Sequence, residues 1–386
     1  MGLRMVYTDH SLFGFSDAAS IHINKALKWK LAHINACITV SHCNKENLAL
    51  RGFVPPDKIY VIPNAVDTFK FTPNPSLRSP VNTVNIVCIT RLTFRKGVDL
   101  MVMIIPEIIR KYPNVHFIIG GDGPKMSILL EMREKYNIAD KVELLGGLHH
   151  GQVRDVLCRG HIFLNTSLTE AFCIAILEAA SCGLLCVSTN VGGIPEVLPP
   201  DMIQLAPARP KPLIEKLEIA ISKHKSIQST KMHETVKRLY SWHKVAEHTE
   251  VVYYNVIKQP RLSLLSQVKL KMALGPLSGI FNVLMGFISL FVLMCCELIW
   301  PNDSIDIAEE FPHHEYMANP EKFGNHQFKV EEDNSSEQQA ASSVQSSNSP
   351  RSTMKQRMNI KQMLSTSQLS TANGEDHDSS EQFPET

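Results

Sequence analysis

Between Val84 and Leu205 the chain alternates two patterns of apolar and polar positions. Short runs rich in Ile, Val and Phe occupy 84–90, 116–119, 142–145, 161–164 and 185–188. They are mainly apolar, interrupted only by Asn85, Thr90, His116, Glu143, His161 and Ser188, as expected of strands covered on both faces. The longer segments between them, 98–111, 126–136, 152–159 and 172–182, repeat apolar residues at helical spacing. Strand and helix in alternation predict an α/β fold, a parallel sheet with helices on both faces. Ligands of such sheets sit outside the carboxyl ends of the strands, so the loops that follow each run are where chemistry is expected.

The first 70 residues read differently. Segments 21–31 and 42–50 have helical spacing, and 36–41 and 58–62 read as short strands. This pattern is expected of the end of one domain and a crossover into the next, with too little before it for a complete sheet. Residues 1–10 contain no apolar stretch of a signal peptide. The expected domains are therefore 1–75, the remnant of a first domain with its crossover, and 76–260, a second domain. Residues 275–296 are uncharged. About 20 such residues span a bilayer, although Gly275-Pro276, Gly279 and Gly286 leave an interfacial or re-entrant hairpin open. From 323 onward Ser, Gln, Asn and Glu dominate, and 323–386 is expected to be a disordered tail.

Charge adds an orientation. The net charge is +1, but from Asp303 onward 15 acidic residues face 6 basic ones, a net −9 that leaves +10 on residues 1–302. Lys258, Arg261, Lys269 and Lys271 precede the apolar segment, and no Lys or Arg follows it until Lys322. The positive-inside rule then puts the body in the cytosol and the tail in the lumen. On that reading the sequon at Asn334 can carry glycan, and the one at Asn165 cannot. The nine cysteines include no Cys-x-x-Cys pair, which fits small apolar side chains in a reducing compartment.

Four strand-end loops carry candidate chemistry. Arg91-Leu-Thr-Phe-Arg-Lys96-Gly97 places two cations between a strand and a helix start. It fits a diphosphate held at a helix N-terminus, or a solvated turn. Gly120-Gly121-Asp122-Gly123 and Gly192-Gly193-Ile194-Pro195 fit backbone pressed against a ligand, or plain turns. Glu170 and Glu178 stand eight residues apart. On one continuous helix that is about 12 Å, the reach from a sugar ring across a diphosphate to a ribose. Carboxylates accept paired hydroxyl hydrogen bonds, and a buried Glu178 would need a partner. No Asp-x-Asp motif lies before the tail; Asp376-His-Asp378 lies within it.

Cations, glycines, spaced carboxylates and glycines, in that order, resemble the C-terminal half of a GT-B retaining glycosyltransferase, whose hallmark is Glu, seven residues, Glu. Residues 5–302 resemble more closely the PIG-A subfamily, which acts at the start of GPI-anchor synthesis. The stretches that carry the likeness are Thr8-Asp-His-Ser-Leu-Phe-Gly-Phe15, Ile62-Pro-Asn-Ala-Val-Asp67, residues 161–173 and residues 187–198, with Pro301-Asn-Asp-Ser-Ile-Asp-Ile307. Ala171 stands where most GT-B relatives have Gly and follows the subfamily. The resemblance implies a complete Rossmann-like donor domain, a truncated N-terminal domain, one transmembrane helix and a disordered tail. It implies transfer of N-acetylglucosamine from UDP-N-acetylglucosamine to phosphatidylinositol with retention, at the endoplasmic reticulum membrane, beside other subunits. It implies no cofactor, no essential metal and no nucleic-acid partner.

By the same resemblance Arg91 and Lys96 bind the diphosphate, Glu178 holds the ribose and Glu170 contacts the transferred sugar. Gly121, Gly192 and Gly193 shape the loops around the donor, and His10 matches the histidine that the N-terminal domain points at the donor sugar. A GT-B enzyme with another acceptor, and a non-catalytic membrane subunit, remain the alternatives.

Overall fold

The apolar runs assemble into two parallel sheets. A computed structural model describes residues 4–14, 18–78 and 82–301; the tail at 323–386 lies outside the described residues. The first sheet contains β1 (Val6–Asp9), β2 (Ala36–Thr39) and β3 (Ile59–Val61), side by side in that order. The crossovers are α1 (Ala18–Leu31) and α2 (His42–Gly52). Leu27 and Leu31 of α1 and Leu48 of α2 pack on Cys37 and Ile59 beneath them.

The second sheet follows the alternation in the sequence. Its elements are β4 (Val84–Ile89), α3 (Val98–Lys111), β5 (Val115–Gly120), α4 (Met126–Lys135) and β6 (Val142–Gly146), then α5 (His150–Cys158) and β7 (Ile162–Asn165). The chain continues through α6 (Ile174–Ser181), β8 (Leu185–Thr189), β9 (Ile203–Ala206) and α7 (Pro210–Lys223). All pairs are parallel, and the spatial order is β6-β5-β4-β7-β8-β9. Within this sheet that order is 3-2-1-4-5-6, the doubly wound arrangement whose ligand crevice opens where the order reverses, between β4 and β7.

Successive side chains point to opposite faces. Ile86, Cys88, Ile162 and Leu164 therefore pack under α3 and α7. Val87, Phe163 and Cys186 pack under α5 and α6. Burial on both faces is why these strands carry no polar alternation.

Two further helices complete the body, α8 (Ser229–Leu239) and α9 (Trp242–Lys258). The apolar side of α9, Val252 and Val256, packs on Ala36, Ile38 and Ile62 of the first sheet. The chain thus returns to the first sheet before it reaches α10 (Leu264–Met272) and α11 (Pro276–Ile299).

Among the described residues α11 is the helix long and apolar enough to cross a membrane. At 24 residues it is about 36 Å long, from 1.5 Å per residue. Gly279 and Gly286 do not interrupt it. They are the places where α10 folds back on α11: a Cβ at Gly279 would stand 2.8 Å from Met272 Cα, and one at Gly286 would stand 2.4 Å from Lys271 Nζ.

One expected element needs correction. The helix predicted over 172–182 starts at Ile174, because Cys173 adopts φ +103° and ends the preceding loop in a left-handed turn. Glu170 and Glu178 therefore do not share one helix, and the 12 Å helical reach between them does not apply.

Candidate active site

The loops after β4 and β7 flank the switch point and are sewn together. Gly97, at φ +68°, caps α3, and a Cβ there would fall 1.8 Å from the Thr166 carbonyl oxygen. Only glycine fits both the backbone conformation and the contact. Thr166 Oγ1 donates to the Lys96 carbonyl at 3.0 Å, and Leu168 N donates to the Arg95 carbonyl at 2.9 Å. This holds Lys96 against Glu170, and their side chains form an ion pair. Both are largely covered, at 22% and 14% exposure.

A buried polar network supports the pair. Ser167 Oγ lies 2.8 Å from Glu170 Oε1 and 2.9 Å from Asn165 Oδ1, one proton offered to two acceptors. Asn165 Nδ2 donates to Ser188 Oγ at 2.9 Å, and Thr189 Oγ1 donates to the Ser167 carbonyl at 2.6 Å. The ends of β7 and β8 are thereby fixed beneath the carboxylate. The same bonds change the reading of the Asn165 sequon. Its amide is buried and donates inside the core, so a glycan on Asn165 would be incompatible with this fold.

The other strand-end loops close on this pair through backbone. Gly193 N donates to the Glu170 carbonyl at 2.9 Å. A Cβ at Gly192 (φ +55°) would meet the same oxygen at 2.0 Å, and one at Gly193 would meet the Ala171 carbonyl oxygen at 2.1 Å. Gly121 (φ +134°) lies equally close to the Thr90 carbonyl oxygen, 1.8 Å from an added Cβ.

The first sheet reaches the same place. Ser41 Oγ caps α2 by accepting from Asn44 N at 3.0 Å and donates to the Ala171 carbonyl at 2.7 Å. Leu12 packs beside Gly192. The loop that carries His10 and Leu12 is held by buried Asp9, whose carboxylate accepts from Asn44 Nδ2 at 2.9 Å and from Ser11 N at 3.2 Å. Burial still raises the Asp9 pKa, against the lowering effect of those bonds.

Of the eight candidate residues, the structure joins Lys96 to Glu170 by side chains, and Gly192 and Gly193 to Glu170 and Ala171 by backbone contact. Gly121 abuts the start of the Arg91 loop. Arg91 and His10 are exposed and form no side-chain hydrogen bond or ion pair among the described residues. Glu178, half-buried on α6, likewise has no hydrogen-bond partner among them. Desolvation raises its pKa, and Lys70 pulls it back only in part. A carboxylate in that state is stabilised by any hydroxyl pair it can accept from. The N-terminus of α6 has no side-chain cap, so its leading amides and dipole favour an anion.

Two residues outside the eight complete the site. Cys173 holds its left-handed conformation between Glu170 and α6, and burial pushes its thiol up to about 12, keeping it protonated. Strain of this kind in a β-substituted residue collects at working sites. The Glu196 carboxylate accepts from His42 N at 2.6 Å and Cys43 N at 2.9 Å, capping α2 from the other sheet. In the sequence Glu196 is overshadowed by the glycines just before it, and nothing in the local pattern marks Cys173. No group of three His, Cys, Asp or Glu side chains suited to a metal occurs among the described residues.

The family model for glycosyl transferases group 1 matches residues 83–223, which contain the whole β4–β7 crevice, and that for glycosyltransferase family 4 matches residues 1–70. A phosphatidylinositol N-acetylglucosaminyltransferase subunit of Arabidopsis thaliana is 49% identical over 80% of this chain and 69% of its own. The chain belongs to the PIG-A family of phosphatidylinositol N-acetylglucosaminyltransferase subunits. The Homo sapiens member is 48% identical over 80% of this chain and 64% of its own, so the chain spans about two thirds of the length of these relatives. Among solved structures, Anabaena HepE in complex with UDP and glucose superposes with a TM-score of 0.55, covering 66% of this chain and 72% of that one at 18% identity. That likeness shows the GT-B fold and agrees with the doubly wound sheet.

Proposed function

We propose that this chain transfers N-acetylglucosamine from UDP-N-acetylglucosamine to phosphatidylinositol with retention, the first step of GPI-anchor biosynthesis. The observation that carries the reading is the Lys96–Glu170 pair at the switch point of a 3-2-1-4-5-6 sheet, in a chain of the PIG-A family. Lys96 and Arg91 bind the diphosphate, with the uncapped N-terminus of α6 beside them. Glu178 takes the ribose hydroxyls, which gives its half-buried carboxylate the partner it lacks. Glu170 meets the transferred sugar, while Gly121, Gly192 and Gly193 let backbone approach the donor. His10 faces the donor sugar from the first sheet.

The chemistry follows from charge. As the glycosidic bond breaks, negative charge grows on the UDP diphosphate. Cations and a helix dipole already fixed in place stabilise that charge more in the transition state than in the ground state. Fixed protein charges supply this stabilisation, and no essential metal is needed. The enzyme sits in the endoplasmic reticulum membrane through α11, with its body in the cytosol and its tail in the lumen, beside the other subunits of the complex and with no nucleic acid.

The test is incorporation of radiolabel from UDP-N-acetylglucosamine into phosphatidylinositol by membranes that carry the chain with its partner subunits. Label in phosphatidylinositol, lost in Lys96→Ala, supports the reading. Transfer to a different lipid, or UDP binding without transfer, overturns the acceptor or the catalytic assignment respectively.

A further inference from the structure

At the end of the first sheet opposite His10 lies a hollow of about 290 Å³ with an unusual lining. Arg4, Lys30, Arg261 and Lys271 surround it, with Trp29 and Gln267 between them. No carboxylate lines it, and none of the four cations is in an ion pair among the described residues. Arg4 is oriented by its Nε bond to the Gln259 carbonyl at 3.0 Å, and His33 Nε2 lies 3.1 Å from the Gln267 carbonyl oxygen. These bonds tie the hollow to the segment that leads into α10.

A second hollow, of about 350 Å³, runs between α10 and α11 and is mostly apolar: Leu264, Val268, Met285, Phe287 and Leu290 form its walls. Lys271 and Gln267 line both hollows. Lys271 Nζ reaches the side of α11 at Gly286, where any side chain would collide with it. Gly286 is ten residues beyond Pro276, about 15 Å along the helix. An ammonium carried that far along an apolar helix calls for an anionic partner or a polar cavity.

We propose that the two hollows together hold one anionic phospholipid, its phosphodiester among Arg4, Lys30, Arg261 and Lys271 and an acyl chain in the α10–α11 groove. Charge selects the headgroup, and the continuous apolar groove selects a lipid over a free phosphate. The place of the site makes this an anchoring lipid and not the sugar acceptor. Arg4 and Asn35 precede β1 and β2, whereas His10 and Ser41 follow them. Four-residue strands put about 13 Å between those ends, at 3.3 Å per residue.

Trp29 supplies the assay. The full chain carrying Trp242→Phe and Trp300→Phe keeps Trp29 as its one tryptophan. It is reconstituted in phosphatidylcholine nanodiscs with a few mole per cent of a phospholipid dibrominated near the glycerol end of its chains. Brominated phosphatidylserine should quench Trp29 strongly, and brominated phosphatidylcholine at the same fraction should not. Lys30→Ala with Arg261→Ala should weaken the anionic lipid about 25-fold, taking about fivefold for each basic side chain at a membrane surface. Val268→Phe, which narrows the groove on a separate element, should weaken it while a circular-dichroism melt stays unchanged. Equal quenching by both lipids overturns the proposal, as does full retention of quenching in these two variants. Displacement of the lipid by millimolar inorganic phosphate overturns it too, because it would assign the cations to a soluble anion.

Discussion

Lys96 is paired with Glu170, and the expected effect of Glu170→Gln follows from that. With 22% and 14% of their side chains exposed, Lys96 and Glu170 lie between two measured extremes. Exposed pairs are worth about 0–1 kcal/mol, and removing one partner of a buried pair costs about 3–5 kcal/mol. For this pair about 1–2 kcal/mol lies between them. A diphosphate that recruits Lys96 must draw it from the carboxylate and forfeit that amount. Glu170→Gln frees the ammonium beforehand, so UDP should bind about 5- to 30-fold more tightly. In the function proposed, turnover should fall, because that function places the Glu170 carboxylate at the transferred sugar.

Lys96→Ala should weaken UDP binding by about 1.5–3 kcal/mol, the range for a hydrogen bond to a charged group. It should cost about 1–2 kcal/mol more in the Glu170→Gln background, where no pair is broken on binding. Calorimetric titration of UDP into the two single variants and the double variant closes the cycle. Weaker UDP binding in Glu170→Gln, or additive effects within about 0.5 kcal/mol, would refute the exchange of partners.

Four further outcomes are expected. Glu178→Gln should raise the donor KM and also raise the melting temperature at neutral pH. Desolvation raises the Glu178 pKa in the folded chain, so the stability linked to it is complete below the ordinary carboxylate pKa and is lost as pH rises through the raised value. At neutral pH the charge is a net cost that glutamine removes, and equal melting curves for the two proteins at neutral pH would contradict this. Gly192→Ala, with a Cβ 2.0 Å from the Glu170 carbonyl oxygen, should lose about 2 kcal/mol or more in denaturant unfolding. Glu196→Gln removes the charge at the α2 N-terminus and should lose about 1 kcal/mol, read as a lower denaturation midpoint. EDTA should leave transfer by the assembled enzyme intact; activity lost and then restored by manganese or magnesium would require an ion beside Lys96.

The second sheet is legible in the sequence because its strands are buried on both faces. Runs such as 84–90 and 185–188 therefore stand out as mainly apolar blocks, and the glycines and cations between them mark the crevice. The strands that escape notice are the ones that break this rule. In β1 only Asp9 is fully buried, and β9 sets partly exposed Gln204 and Leu205 between buried ends. Neither makes an apolar block. Pairings across long sequence separations are invisible in the same way. Lys96 and Glu170 are 74 residues apart, Ser41 and Ala171 are 130, and His42 and Glu196 are 154. Each can be nominated from its neighbours, but its partner is set by which strands lie side by side. The helix start at Ile174 is hidden for a local reason: Phe172 and Cys173 continue the apolar spacing, but the left-handed Cys173 turns the backbone away.

The contacts around Ala171 show why two sheets are needed to hold one loop. The Ala171 carbonyl oxygen accepts from Ser41 on the first sheet, and Gly193 packs against it from the second. The neighbouring Glu170 carbonyl accepts from Gly193 N. Glu196, three residues further on, ties the same loop to the N-terminus of α2. The Glu170 and Ala171 carbonyls are thereby held from the second and the first sheet, while among the described residues the Glu170 side chain is engaged by Lys96 and Ser167. A shift of the first sheet relative to the second would break the Ser41–Ala171 and α2–Glu196 contacts first, while Lys96 and Ser167 would still hold the Glu170 carboxylate to the second sheet. The first sheet thus steadies the loop just after Glu170, whereas the Lys96–Glu170 pair is set by the second sheet alone.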